Sequence, residues 1–179
     1  MDKRLDVESI LTAHNFSSFK WINTDEIIVA HWVRMKCRFG CPVYGKNASC
    51  PPATPPVDEC KSFIKEYEKA ILIQAKGVYA NDEERKKWTR DLNAELVKIE
   101  REVFWLGYHK AFMLFLDDCS FCKKCTPERD SCFRPKDARP SCEAMAIDVF
   151  ETVRRTDFPI EVLTKKSQEM NRYAILLVD

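Results

Sequence analysis

"KAFMLFLDDCSFCKKCTPERDSC" spans residues 110–132, and its reading decides the fold. The first part, 110–118, is a short run of aromatic and aliphatic residues and predicts a buried strand. The second part has no apolar period. It carries Cys119, Cys122, Cys125 and Cys132 at C-x2-C-x2-C-x6-C spacing. A strand thus hands the chain directly to a cysteine loop.

Outward from there, the same alternation recurs. Val7, Ile10, Leu11 and His14 have helical spacing. "EIIVAHWVRM" (26–35) is β-branched and aromatic, predicting a strand that leads into Cys37. Residues 37–56 are proline-rich and glycine-punctuated, as a loop is. A helix is expected from about Pro56, with Cys60, Phe63, Ile64 and Tyr67 on its apolar face. "KAILIQAK" (69–76) reads as a strand. Asn81 with Glu84 resembles a capping box and opens a long helix. Trp88, Leu92, Leu96, Ile99, Val103 and Leu106 form its stripe, and Gly107 stops it. Ser141 is placed to cap a helix with the face Cys142, Met145, Ala146, Val149 and Val153. Strands follow at 160–163 and 172–179. Strand and helix alternate, so the expectation is one α/β domain over 1–179. Its mixed, partly parallel sheet would be flanked by helices, with cysteine loops at 37–60 and 119–142 at strand ends. Sites in such sheets collect at the carboxyl edge of the strands, so the two loops are expected to share a rim.

The 179 residues hold 29 Lys plus Arg against 28 Asp plus Glu, a net charge of +1. That balance argues against broad nucleic-acid binding. The charged start has no apolar signal region, and no apolar run is long enough to span a bilayer, so a cytoplasmic chain without membrane contact is expected. Four glycines leave no phosphate-cradling motif. Nine clustered cysteines in a reducing compartment point to metal or catalysis rather than disulfides.

Structural zinc takes two separated cysteine pairs, which Cys119, Cys122, Cys125 and Cys132 do not form. Their spacing suits the corners of a [4Fe–4S] cubane, although bacterial ferredoxins have a shorter last gap. Zinc remains the alternative. Cys37, Cys41 and Cys50, followed by Pro42 and by Pro51 and Pro52, form a second group. Cys60 is its candidate fourth ligand, in a first helical turn that favours thiolate, but it also lies on an apolar stripe. Cys142 poses the same choice and reads as core. His31 and His109 read as packed or surface residues, and His14 as exposed. Asp117 and Asp118 are acid/base candidates or solvated strand-end residues, and 83–90 reads as a solvated face. Lys46 and Arg139 are surface cations or anion holders.

"CPVYGKNASCPP" with the following "DEC", the C-x2-C-x2-C-x6-C run and "ARPSCEAMAIDV" together resemble a family of predicted metal-binding proteins of anaerobic bacteria and archaea, domain-of-unknown-function family 2284. The resemblance extends from about Trp32 to the end. It implies metal binding and matches Cys37, Cys41, Cys50, Cys119, Cys122, Cys125 and Cys132 to the family's cysteines. Ala48 stands where an aromatic residue is expected, and Cys142 where an apolar one is.

Three functions follow as expectations. The first is an electron carrier or accessory redox protein with one or two [4Fe–4S] clusters and a redox partner protein. The second is an enzyme whose Cys37, Cys41 and Cys50 leave one iron open for sulfur transfer or Lewis-acid chemistry. The third is a zinc-stabilised interaction module. Enzymatic activity and homo-oligomerisation are left open.

Overall fold

The computed structural model describes residues 3–165 and 168–179. Five helices and four strands are present: α1 (Lys3–Ala13), β1 (Phe19–Asn23), α2 (His31–Gly40), α3 (Val57–Ile64), β2 (Lys69–Gly77), α4 (Asp82–Trp105), β3 (Phe112–Leu114), α5 (Val149–Arg154) and β4 (Met170–Val178). The strands form one sheet in the order β1-β2-β4-β3, and every neighbouring pair is antiparallel. The partly parallel sheet is therefore corrected. β2 and β3 do run in the same direction around α4, but β4 inserts between them and splits the unit. The one parallel contact among the described residues is an isolated bridge, Phe115 to Ser141.

The physical reason lies in burial. β2 and β4 are apolar on both faces because both faces are covered, and such runs read alike in either orientation. Ile71, Ile73, Ala174 and Leu176 pack with Leu96, Ile99 and Val103 of α4 and with Val7 and Leu11 of α1. Ala70, Leu72, Ile175 and Leu177 point the other way, onto Cys60 and Ile64 of α3, Met145 ahead of α5 and Val153 within it. This alternation follows from the two-residue period of a strand.

Some expected elements form as read. Asn81 caps α4 by accepting hydrogen bonds from Glu83 N and Glu84 N. Leu96, Ile99 and Val103 are fully buried, and Gly107 takes φ +99 just past the helix. Others do not. Residues 26–35 are no strand. Only Val29 makes a bridge, to Ile147, and the chain then turns into α2, because β1 already occupies the sheet edge beside β2. The strand at 110–118 pairs only over Phe112–Leu114. The helix expected from Ser141 is a 3-10 turn, Glu143–Met145, ended by Ala146 at φ +59. Asp148 then caps α5 by accepting from Glu151 N at 3.0 Å. No strand forms at 160–163. Among the described residues no helix is long and apolar enough to cross a membrane.

Candidate metal centre

Cys37 sits in the last turns of α2, and Cys41 caps that helix, its N–H donating to Cys37 O at 3.3 Å. This group therefore leaves a helix end and not a strand end. Short turns then fold the loop back on itself: Tyr44 N to Cys41 O at 3.2 Å, Gly45 N to Pro51 O at 3.0 Å, Cys50 N to Asn47 O at 3.0 Å. Gly45 serves here at φ +70, a conformation that costs a side chain energy. Lys46 is an exposed surface cation, as one reading had it, and its Nζ donates to Pro42 O at 2.7 Å, closing the loop.

The second group follows β3. Cys119, Cys122, Cys125 and Cys132 are all half-buried in a segment without helix or strand. Phe121 packs edge-on against Phe115, with ring centres 5.7 Å apart, and Arg134 lies over its face. Asp137 pairs with Arg101 at 2.7 Å and with Arg134 at 2.8 Å, and these partners hold its carboxyl below the usual range despite an opposing effect of burial. Arg139 is no surface cation. It forks onto Glu100, whose Oε2 also accepts from Met113 N, tying the loop's far end to α4 and β3.

The two groups meet at the end of β3. Asn47 Nδ2 donates to Asp118 Oδ2 at 3.1 Å across 71 positions of sequence. Ser49 opposes the effect of burial on the Cys119 thiol. Cys37 Sγ donates to Glu143 O at 3.9 Å. Burial pushes the Cys50 thiol up to about 12, with the charge of Asp118 adding to it and Asn47 opposing. Burial also raises Cys37, helped by Cys41, and raises Cys119, with Cys125 and Cys132 adding smaller effects. The thiols within each group thus act on one another electrostatically. A metal arriving at Cys50 must release a proton there.

A cleft of about 450 Å³ opens over the first group. Cys37, Cys41 and Cys50 line it together with Asp117, Asp118 and Glu143 and with Arg85 and Lys86. Asp117 pairs with Arg85 at 2.6 Å. Burial and then the Asp117 charge raise both Asp118 and Glu143. The two aspartates are therefore site-facing rather than solvated, and 85–89 is no purely solvated face, since Thr89 is buried too. Glu143 was not legible beforehand; its signal was only its place beside Cys142. A larger, mostly apolar cavity of about 530 Å³ lies between 48–55 and 129–140, but no cysteine lines it.

Cys60 and Cys142 stand elsewhere. Both are fully buried in the core under the second face of the sheet. Cys60 Sγ donates to Pro55 O at 3.4 Å and lies 4.0 Å from Met145 Sδ, while Arg34 approaches at 3.9 Å. Cys142 Sγ faces Tyr173 O at 3.8 Å. None of these contacts involves another thiol. His31 is exposed, 3.5 Å from Asp58. His109 is exposed in the turn after α4. His14 corrects the expectation of exposure: its ring bridges Glu95 at 2.8 Å and Glu102 at 2.9 Å.

The donor chemistry fits a thiophilic metal or cluster. All nine cysteines are free thiols, and seven of them fall into the two groups. Among the described residues, no three His, Cys, Asp or Glu side chains converge closely enough to hold a single metal ion. Around one zinc ion, sulfurs would stand about 3.8 Å apart, from a Zn–S distance of about 2.3 Å. The orphaned Ser120 hydroxyl, buried beside Cys119 without a partner, marks a polar position at the same place. No curated protein and no solved structure matches the chain. The model of one family, "Predicted metal-binding protein (DUF2284)", matches residues 20–178. With nearly its whole length matched, the chain belongs to this family of predicted metal-binding proteins.

Proposed function

We propose that the protein is an iron–sulfur protein carrying two [4Fe–4S] clusters, and that it moves electrons as a carrier or accessory redox protein of anaerobic metabolism. Cys119, Cys122, Cys125 and Cys132 would hold one cluster, and Cys37, Cys41 and Cys50 the other. The observation that supports this reading is the hydrogen bond from Asn47, in the turn that carries Cys50, to Asp118, beside Cys119. Such clusters supply one-electron chemistry at potentials tuned by charge, hydrogen bonding and exposure. The free thiols suit a reducing, cytoplasmic compartment.

A second reading adds catalysis, and one observation favours it. Cys60, the candidate fourth ligand, is packed in the core, while Cys37, Cys41 and Cys50 line the cleft. One iron of that cluster would then face the cleft without a protein ligand, as Lewis-acid or sulfur-transfer chemistry requires. Asp118 and Glu143, both raised by burial, line the same cleft, and Arg85 pairs with Asp117 there at 2.6 Å.

The test is electron paramagnetic resonance on anaerobically prepared, dithionite-reduced protein. Cys122→Ser should remove one cluster signal and Cys37→Ser the other. Added cyanide should shift only the signal lost in Cys37→Ser. Zinc in place of iron would overturn the reading in favour of an interaction module, and a cyanide-insensitive spectrum would overturn the catalytic addition.

A further inference from the structure

α2 is turned inside out. Trp32, Met35 and Phe39 recur at i, i+3 and i+7, the spacing of a core-facing stripe. Yet they are 47%, 47% and 80% exposed, while Val33 on the opposite side is buried. Three large apolar side chains on about two turns of surface form a patch of the kind that marks an interaction site. The charged side chains that α2 itself carries are all cationic. Lys36 Nζ lies 5.3 Å from the centre of the Trp32 ring, and Arg38 lies 5.5 Å from that of Phe39. His31 pairs with Asp58 at the helix start and leaves the patch itself cationic.

We propose that this face of α2 docks an acidic one-electron carrier protein and so forms the electron entrance to the Cys37, Cys41 and Cys50 group. The inference rests on the iron–sulfur reading. Cys37 points from the opposite side of the same helix toward Glu143, so the patch and the thiols are separated by roughly one helix diameter, about 10 Å. Cys41, at the end of the helix, is itself exposed. Charge selects the occupant. A second copy joined through a two-fold axis would set Lys36 and Arg38 against their own likenesses, which costs energy. An acidic surface meets them with attraction, and the aromatic rings supply the desolvated centre of the contact. One electron would pass from the carrier's reduced centre to the cluster, and no covalent bond forms or breaks.

The probes are a flavodoxin and a bacterial-type ferredoxin, both acidic. Association is read by fluorescence anisotropy of the labelled carrier, and electron transfer by stopped-flow oxidation of the reduced carrier, with dithionite as the control reductant. Saturable binding is expected with at least one carrier, weakening about tenfold as salt rises from low to physiological ionic strength. Trp32→Ser with Phe39→Ser, and separately Lys36→Glu with Arg38→Glu, should each weaken it about tenfold or more. Dithionite should reduce all forms equally. These side chains are exposed, and circular dichroism is the control for folding of the variants. Binding of neither carrier, or binding unchanged in both variants, overturns the proposal. So does a dimer in sedimentation equilibrium that Phe39→Ser dissolves, or binding only to phosphatidylglycerol vesicles. Iron-free protein that still binds a carrier would instead defeat the iron–sulfur reading and leave the docking face standing.

Discussion

The two cysteine regions are built in opposite ways. Cys37, Cys41 and Cys50 are set by a helix, a chain of tight turns and a buried stretch in which Ala48, Ser49 and Cys50 are all nearly inaccessible. Cys119, Cys122, Cys125 and Cys132 sit in a half-exposed segment with no helix or strand, pinned at a few points by Phe121, Asp137 and Arg139. The first region is shaped by the same packing that builds the protein. The second holds too little apolar surface to order itself, so metal binding there would contribute folding energy. Neighbouring sites in one fold can therefore differ in how far each depends on its metal.

That contrast can be broken most forcefully at its anchor. Glu100→Ala leaves Arg139 without its carboxylate in a mostly buried place and frees Met113 N. The expected loss is about 3–5 kcal/mol, measured by urea unfolding, with the second group released first. A loss below about 0.5 kcal/mol, typical of surface changes, would show that the anchor does not hold the loop.

Leu96→Ala probes the scaffold that both regions share. Leu96 is fully buried between α4 and the sheet, and its truncation should cost about 2–5 kcal/mol. Both metal groups should be affected together. Selective loss of one group would mean that the regions do not depend on a common core.

Metal removal sharpens the comparison without any substitution. After chelation, limited proteolysis should cut within 123–137 well before 37–56, because most of 123–137 is exposed, whereas 37–56 begins in α2, is closed by a chain of turn hydrogen bonds and buries Ala48, Ser49 and Cys50. Equal cutting, or earlier cutting at 37–56, would reverse the assignment of which site is preformed.

The smallest effect lies far from both regions. Burial pulls the His14 imidazole down, but its hydrogen bonds to Glu95 and Glu102 and their charges raise it overall. That contribution is full below the unfolded value of 6.5 and is lost as pH rises through the folded one. Glu95, lowered by hydrogen bonds from Lys98 and His14, contributes above 4.5 and loses this as pH falls. His14→Gln should therefore cost about 1 kcal/mol at pH 6 and clearly less at pH 9, with no change in metal content. An equal cost at both pH values would remove the ionic account.

Local signals in the sequence were legible because their physics is local. Asn81 caps α4 whatever else the chain does, and the period of Leu96, Ile99 and Val103 needs only a surface to meet. Topology was not. β2 and β4 are apolar on both faces, so their residues do not say which way the neighbour runs. α2 was misread because Ile27, Ile28 and Val29 favour a strand and because its apolar stripe faces outward, where a core-facing helix would hide it. α5 could have been found from Asp148 and Glu151, a cap and its third residue. The cysteine groups were legible as spacing. Their contact rests on Asn47 and Asp118, a long-range arrangement that no spacing records. Cys60 shows the limit most plainly: helix-start position and apolar stripe argued opposite ways, and its packing against Pro55 and Met145 is a tertiary fact.

The most direct test of the account is the content of iron, acid-labile sulfide and zinc per chain in protein prepared without oxygen. Two [4Fe–4S] clusters predict about eight iron and about eight sulfide, with Cys122→Ser retaining about half of each. One or two zinc ions per chain with no sulfide would contradict it.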